Sequence, residues 1–169
     1  MNSCADADRG EAHALKCELA REVLCSSGKL KLCVTGWSML PAVWPGDTLL
    51  VECVRPNDIK VGDIALVGRD QRLCAHRVVL LPERSGNRFW TTQGDAMPRP
   101  DRPVIESELL GRVTKLIRSG KCMAVPASLS VVERLLAQFV RRSAFAARVF
   151  VYLTRRVRTQ RESIRPCRG

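Results

Sequence analysis

The 169 residues suffice for one domain with appendages, and 46% hydrophobic content with only 5% aromatics means that aliphatic side chains must build its core. The net charge is +11, of which +8 falls between Arg141 and Gly169, where nine arginines face a single glutamate. Such a tail suits an anionic surface and says little about the fold.

No uninterrupted apolar run of about 18 residues occurs, which excludes an ordinary membrane-spanning helix. The acidic, polar Met1–Ala14 stretch is the opposite of a secretory signal peptide. A cytoplasmic or peripheral membrane-associated protein is therefore expected. The cysteines are Cys4, Cys17, Cys25, Cys33, Cys53, Cys74, Cys122 and Cys167. None has C-x-x-C spacing and no histidine cluster accompanies them, so neither a zinc site nor any other cofactor is expected. Cys17, Cys33, Cys53 and Cys74 fall in apolar patterns and are expected to behave as reduced, small hydrophobes.

In chain order, residues 1–10 are expected to be disordered. From Glu11 to Cys25, Leu15, Leu19 and Val23 recur four apart with Ala12 and Ala20 nearby, one stripe of an amphipathic helix that Ser26-Ser27-Gly28 ends. Leu30, Leu32 and Val34 alternate with Lys29, Lys31 and Cys33, a strand of period two. A tight loop follows, Gly36-Trp37-Ser38-Met39-Leu40-Pro41, and Asp47–Val54 reads as the strand that leaves it. Arg55–Asp58 is a turn, Ile64–Val67 a buried strand, Gly68–Gln71 a hairpin turn and Leu73–Leu81 a strand bearing His76. Pro82–Asn87 is another turn and Arg88–Thr92 a strand. Gln93–Pro103 is too rich in proline to pair as a central strand. Leu109–Ile117 closes the set, with Gly111 as a bulge. Short strands at this spacing predict a mainly β domain of antiparallel, curved, barrel-like sheets with an N-terminal helix.

After Gly120 two amphipathic helices are predicted, Leu129–Val140 capped by Ser128 or Ser130, and Ala144–Val157. In the second, Phe145, Val149, Tyr152 and Leu153 share a face away from the arginines, which fits either a membrane interface or packing on the β domain. The chain thus divides at 1–28, 29–120 and 121–169.

A serine in a tight loop after a strand, a histidine on a strand and aspartates beside a glycine or a proline form the set that an activated-serine hydrolase needs. Ser38 is the nucleophile candidate. His76 is the base candidate, because imidazole titrates near neutrality, while His13 sits among polar residues on the N-terminal helix. Asp95 and Asp101 both qualify chemically as the third member. Asp47 and Asp63, each after a glycine, look like turn residues. Arg77 is expected to pair with an acid or to pack its stem. The Ser38 amide is one natural oxyanion donor. Trp37 and Trp44, unusual in a chain this poor in aromatics, could wall a groove or seal the core edge.

The order G-W-S-M-L-P, W-P-G-D, V-G-D-I-A-L-V, A-H-R-V-V, T-Q-G-D-A-M-P-R-P-D and L-L-G-R-V resembles the catalytic domain of signal peptidase I, over about Leu30 to Leu116. Bacterial-type members carry lysine at the base position. His76 makes this chain similar to the histidine-using branch of archaea, the endoplasmic reticulum and some Gram-positive bacteria. The resemblance implies a serine endopeptidase that binds a signal or leader peptide as an added strand and cleaves after small residues. It assigns Asp101, six positions after Asp95, to the triad, and leaves Gly94 and Asp95 to brace the loop. Trp37, Met39 and Pro41 are expected to shape the loop and line the substrate pocket.

Two departures stand out. The usual transmembrane anchor before the serine motif is replaced by a soluble-looking helix. Gly36 occupies the place where the family often has a second serine in the oxyanion hole, so another amide or water must donate there. The implied partners are a peptide or preprotein substrate and, through the arginine-rich C-terminus, an anionic membrane surface; nucleic acid is not expected. The competing readings are a non-catalytic, peptide-binding descendant of the same fold and a self-cleaving regulatory protease of the repressor type. The segment before the first strand is too short for a helix-turn-helix domain, and the repressor type would use lysine as base.

Overall fold

The computed structural model describes residues 3–81, 89–126 and 128, with side chains from residue 14 onward. Helix α1 (Ser3–Ser27) precedes β1 (Lys29–Cys33), β2 (Thr48–Glu52), β3 (Ile64–Arg69), β4 (Arg72–Leu80), β5 (Thr91–Gln93), β6 (Leu109–Arg118) and β7 (Lys121–Ala124). Single 3-10 turns at Pro56–Asp58 and Glu106–Glu108 complete the described elements. All seven strands join one antiparallel sheet in the order β1-β2-β6-β3-β4-β5, with β7 also pairing β6. The fold is mainly β with one N-terminal helix. The two C-terminal helices expected from the sequence lie outside the described residues.

Two hairpins use two-residue turns with positive φ at both positions, whose twist matches that of the strands they join. Asp70 (φ 48°) and Gln71 (φ 60°) connect β3 to β4, and Ser119 (φ 50°) and Gly120 (φ 74°) connect β6 to β7. The second hairpin carries the sheet past Gly120, so a boundary there cuts a paired unit. Its signal in the sequence is Ser119-Gly120 between two apolar runs.

β3 lies between β6 and β4 and is buried on both faces, which explains its unbroken apolar run. Ile64 and Leu66 point into the larger core, with Leu24, Met39, Val43, Leu49, Val51, Val113 and Leu116. Ala65 and Val67 point into the other, with Ile59, Val78, Trp90 and Val104.

Several expectations change. α1 starts at Ser3, not Glu11. Its packed face is Ala20 and Leu24, whereas Leu15 and Leu19 are 66% and 55% exposed. The small Ala20 lets the helix approach and Leu24 fills the main core, a face rotated one position from the leucine stripe. Cys33, Cys53 and Cys74 are exposed and Cys17 is half-buried. On β1 the alternation turns Cys33 outward with Lys29 and Lys31. The β6 irregularities fall at Leu110 and Thr114, which the pairings with β3 and β2 skip; Gly111 itself is in register with Leu66. It is glycine for a different reason: a β-carbon there would lie 2.6 Å from the carbonyl oxygen of Glu52.

Candidate active site

The loop between β1 and β2 is closed on itself before it presents anything. Val34 N–H donates to the Asp47 carbonyl (2.8 Å) and Gly46 N–H to that of Val34 (2.7 Å), which zips the loop's two ends together. Val43 N–H donates to Met39 O (2.9 Å), and the Trp44 indole donates to Pro41 O (2.7 Å). Asp47 is fully buried and receives Arg118, whose Nη2 lies 2.7 Å from Oδ2 and 3.0 Å from Ala42 O. The same guanidinium sits 5.9 Å from the Trp44 ring centroid, within cation–π range. Asp47 is thus an ion-paired anchor in addition to a turn residue. Arg118, at the far end of β6, is a partner that sequence reading did not find.

Ser38 tops this loop. Its carbonyl accepts the Ala96 amide (2.8 Å), and Gly94 packs directly under it: a β-carbon on Gly94 would meet Ser38 O at 2.6 Å. Only glycine allows the two loops this close approach. His76 reaches the site from β4, and its Nε2 lies 2.9 Å from Ser38 Oγ. Its Nδ1 lies 2.6 Å from Asp101 Oδ2. Asp101 N–H donates to Thr92 O (2.8 Å), and Trp90 and Val104 exchange backbone hydrogen bonds just beyond, so residues 101–104 run beside the start of β5. The strand runs one residue further than expected, since Gln93 ends β5 and pairs with Arg77; residues 94–103 then leave the sheet, and the end of that loop is pinned to β5.

The geometry fixes proton positions. A carboxylate only accepts, so Nδ1–H donates to Asp101 and Nε2 is left as the acceptor for the Ser38 hydroxyl. That is the tautomer a general base needs. Burial by itself raises the Asp101 pKa. The hydrogen bonds from His76 and from the Thr92 hydroxyl, with the charge of Arg69 nearby, outweigh it and hold the carboxyl below its ordinary value. Cys74, two residues before His76, lines the same cleft; the residue is exposed overall, but desolvation of its thiol by the surrounding protein first and the Asp101 carboxylate second push the thiol up. The thiol stays protonated at neutral pH.

Asp95, 6% exposed, faces Arg77 in a two-pronged ion pair with both nitrogen–oxygen distances at 2.9 Å. Arg77 also donates to Gly62 O (2.8 Å) and Pro126 O (2.7 Å). This pair ties the His76 strand to the Gly94–Asp95 loop, which in turn carries the weight of Ser38. Both acids beside the motif are therefore used, Asp101 on the imidazole and Asp95 on the scaffold.

A cleft of 490 Å³ opens on the Asp101 side of His76, floored by Val67 and Val104 and rimmed by Arg69, Arg72 and Arg102. Arg69 is held by Glu108 and by the Arg102 and Pro103 carbonyls, and Arg102 by Asp70 (2.7 Å). Trp37 and Trp44, half-buried, seal Leu40 and Ala96 at the core edge. Met39 is 4% exposed and belongs to the main core, so it supports the loop from below; Pro41 is half-buried. Gly36 is exposed, with nothing within 4 Å of a β-carbon built on it. Among the described residues no group of three or more His, Cys, Asp or Glu side chains is arranged to hold a metal, and no helix is long and apolar enough to cross a membrane. Compared with models of protein families, with curated proteins and with solved structures, the chain matches none.

Proposed function

We propose that this chain is a serine endopeptidase of the signal peptidase I type, from the histidine-using branch, with a curved, barrel-like catalytic domain. It cleaves a signal or leader peptide after small residues. The observation that carries the reading is the unbroken chain from Ser38 Oγ to His76 Nε2 (2.9 Å) and from His76 Nδ1 to Asp101 Oδ2 (2.6 Å), made by residues on three separate segments. His76 takes the Ser38 proton as Oγ attacks the scissile carbonyl. Asp101 stabilises the imidazolium that forms. His76 then returns the proton to the leaving amine, and water repeats the cycle on the acyl-enzyme.

Two features support a peptide as substrate. The Ser38 amide donates to no acceptor among the described residues, so it is available to the oxyanion. β1 ends the sheet and its outer edge has no strand partner among the described residues, while Thr35 and Gly36 continue from it to Ser38. An extended peptide added to that edge is led past the nucleophile. The arginine-rich 141–169 segment, outside the described residues, is the part proposed to meet an anionic membrane surface.

The test is hydrolysis of peptides with alanine before the scissile bond, followed by mass spectrometry. The parent cleaves, and Ser38→Ala binds but does not turn over, with its thermal midpoint unchanged. Equal cleavage by both proteins removes Ser38 from the chemistry. Binding without cleavage by the parent favours the alternative of a peptide-binding descendant, the reading for which Gly36, bare of a hydroxyl beside the oxyanion position, is the supporting observation.

A further inference from the structure

The buried hydroxyl of Thr92 belongs to none of Ser38, His76 and Asp101, yet it is bonded to the last of them. Thr92 is 1% exposed on β5, in register with Val78 of β4, and so projects on the same face of the sheet as His76. Its Oγ1 donates to Asp101 Oδ2 at 2.7 Å, and its carbonyl accepts the Asp101 amide at 2.8 Å. The oxygen that receives the Thr92 hydroxyl is the one that receives His76 Nδ1–H.

We infer that Thr92 is a positioning residue of the catalytic apparatus, a fourth member that fixes the rotamer of Asp101 and so the tautomer and aim of His76. The inference rests on the reading of Ser38, His76 and Asp101 as nucleophile, base and orienting acid. Asp101 has free rotation about its side chain and stands at the edge of an open cleft, with its side chain 32% exposed. One hydrogen bond to the imidazole leaves the carboxylate able to swing toward water or toward Arg69. The clamp from Thr92, hydroxyl on the side chain and carbonyl on the main chain, removes that freedom. Threonine suits the place because its branched carbon is stiff in a strand, so the hydroxyl is delivered in one rotamer. The hydroxyl hydrogen is committed to Asp101, which makes Thr92 a donor to the acid and not a second nucleophile.

Thr92→Val keeps the shape and deletes the donor; Thr92→Ser keeps the donor; Thr92→Ala is read in place of the valine variant if that protein fails to fold. Against an alanine-containing peptide, Thr92→Val is expected to lose roughly ten- to a hundredfold in kcat with KM unchanged, the size of a hydrogen bond to a charged group. Thr92→Ser recovers most of that loss. In the Ser38→Ala background, the proton resonance of His76 Nδ1–H is expected to move in Thr92→Val and to stay near its parental position in Thr92→Ser.

A resonance unmoved by loss of the hydroxyl, or a serine variant as impaired as the valine one, overturns the inference. If the parent cleaves nothing while the resonance still responds to the valine change, the clamp stands and the protease reading falls, so the two failures are separable.

Discussion

Gly94 lies so close beneath Ser38 that a β-carbon on it would sit 2.6 Å from the serine carbonyl oxygen and 2.7 Å from Met97 Cγ. The methionine can swing away, but the serine main chain cannot without dragging the Ser38 hydroxyl and stretching the Ala96-to-Ser38 hydrogen bond. Gly94→Ala is therefore expected to displace Ser38 from His76. Strain of this kind costs roughly 1–3 kcal/mol, and a shift of about 1 Å in a reacting group costs about a hundredfold in rate. The variant should fold, with a lowered midpoint in denaturant and a fall in kcat larger than its stability loss suggests. Parental kcat would remove the contact from the argument.

Arg77 and Asp95 are buried together, with side chains 9% and 5% exposed. Removing one partner of such a pair strands a charge and costs about 3–5 kcal/mol, whereas replacing both with apolar residues can be close to neutral. Arg77→Met is thus expected to destabilise strongly, and Arg77→Met with Asp95→Leu to recover part of the loss. Urea denaturation of the two single variants and the double one gives the coupling directly. Strictly additive losses would mean the pair does not act as a unit.

Asp101 has its pKa held below the ordinary carboxylate value of about 3.9. A depressed folded value means that its stabilising contribution is complete above the unfolded value and is lost as pH falls through the folded one. Asp101→Asn is expected to lower kcat by roughly 10⁴-fold, since an amide permits the wrong imidazole tautomer. It is also expected to be less stable than the parent at neutral pH, with the gap narrowing below about pH 4. Denaturation of both proteins at two pH values, with the peptide assay alongside, checks the sign and the size. A gap that widens in acid contradicts the assignment.

Gly36 has open space around it and lies outside the left-handed region, so nothing steric keeps it glycine. Gly36→Ser is expected to change stability by no more than about 0.5 kcal/mol. If the Ser38 amide works alone on the oxyanion, a hydroxyl placed two residues before it raises kcat, by up to about a hundredfold for a well-aimed donor. An unchanged kcat would mean that a second donor is already supplied by another group.

Much of this arrangement was legible along the chain because it is written in local terms. Period-two alternation marked β1, and the unbroken apolar run of Ile64–Val67 marked a buried strand. Ser38, His76 and Asp101 stood out as chemically suited residues at turns and strand ends. What the chain could not show is which groups meet across distance. By chemistry alone Asp95 and Asp101 look alike in sequence and only the family resemblance picked Asp101; which of them faces the imidazole depends on how residues 101–104 are pinned to β5. The Asp47–Arg118 pair spans 71 positions, and the Thr92 clamp needs the register of β4 on β5. The face of α1 that packs was misread for the same reason: a helix offers several faces, and the sheet selects the one whose small Ala20 permits close approach. Local pattern determines which elements form and which side chains can do chemistry. Only the packing of strand on strand, where each contact excludes its competitors, decides which of them do it together.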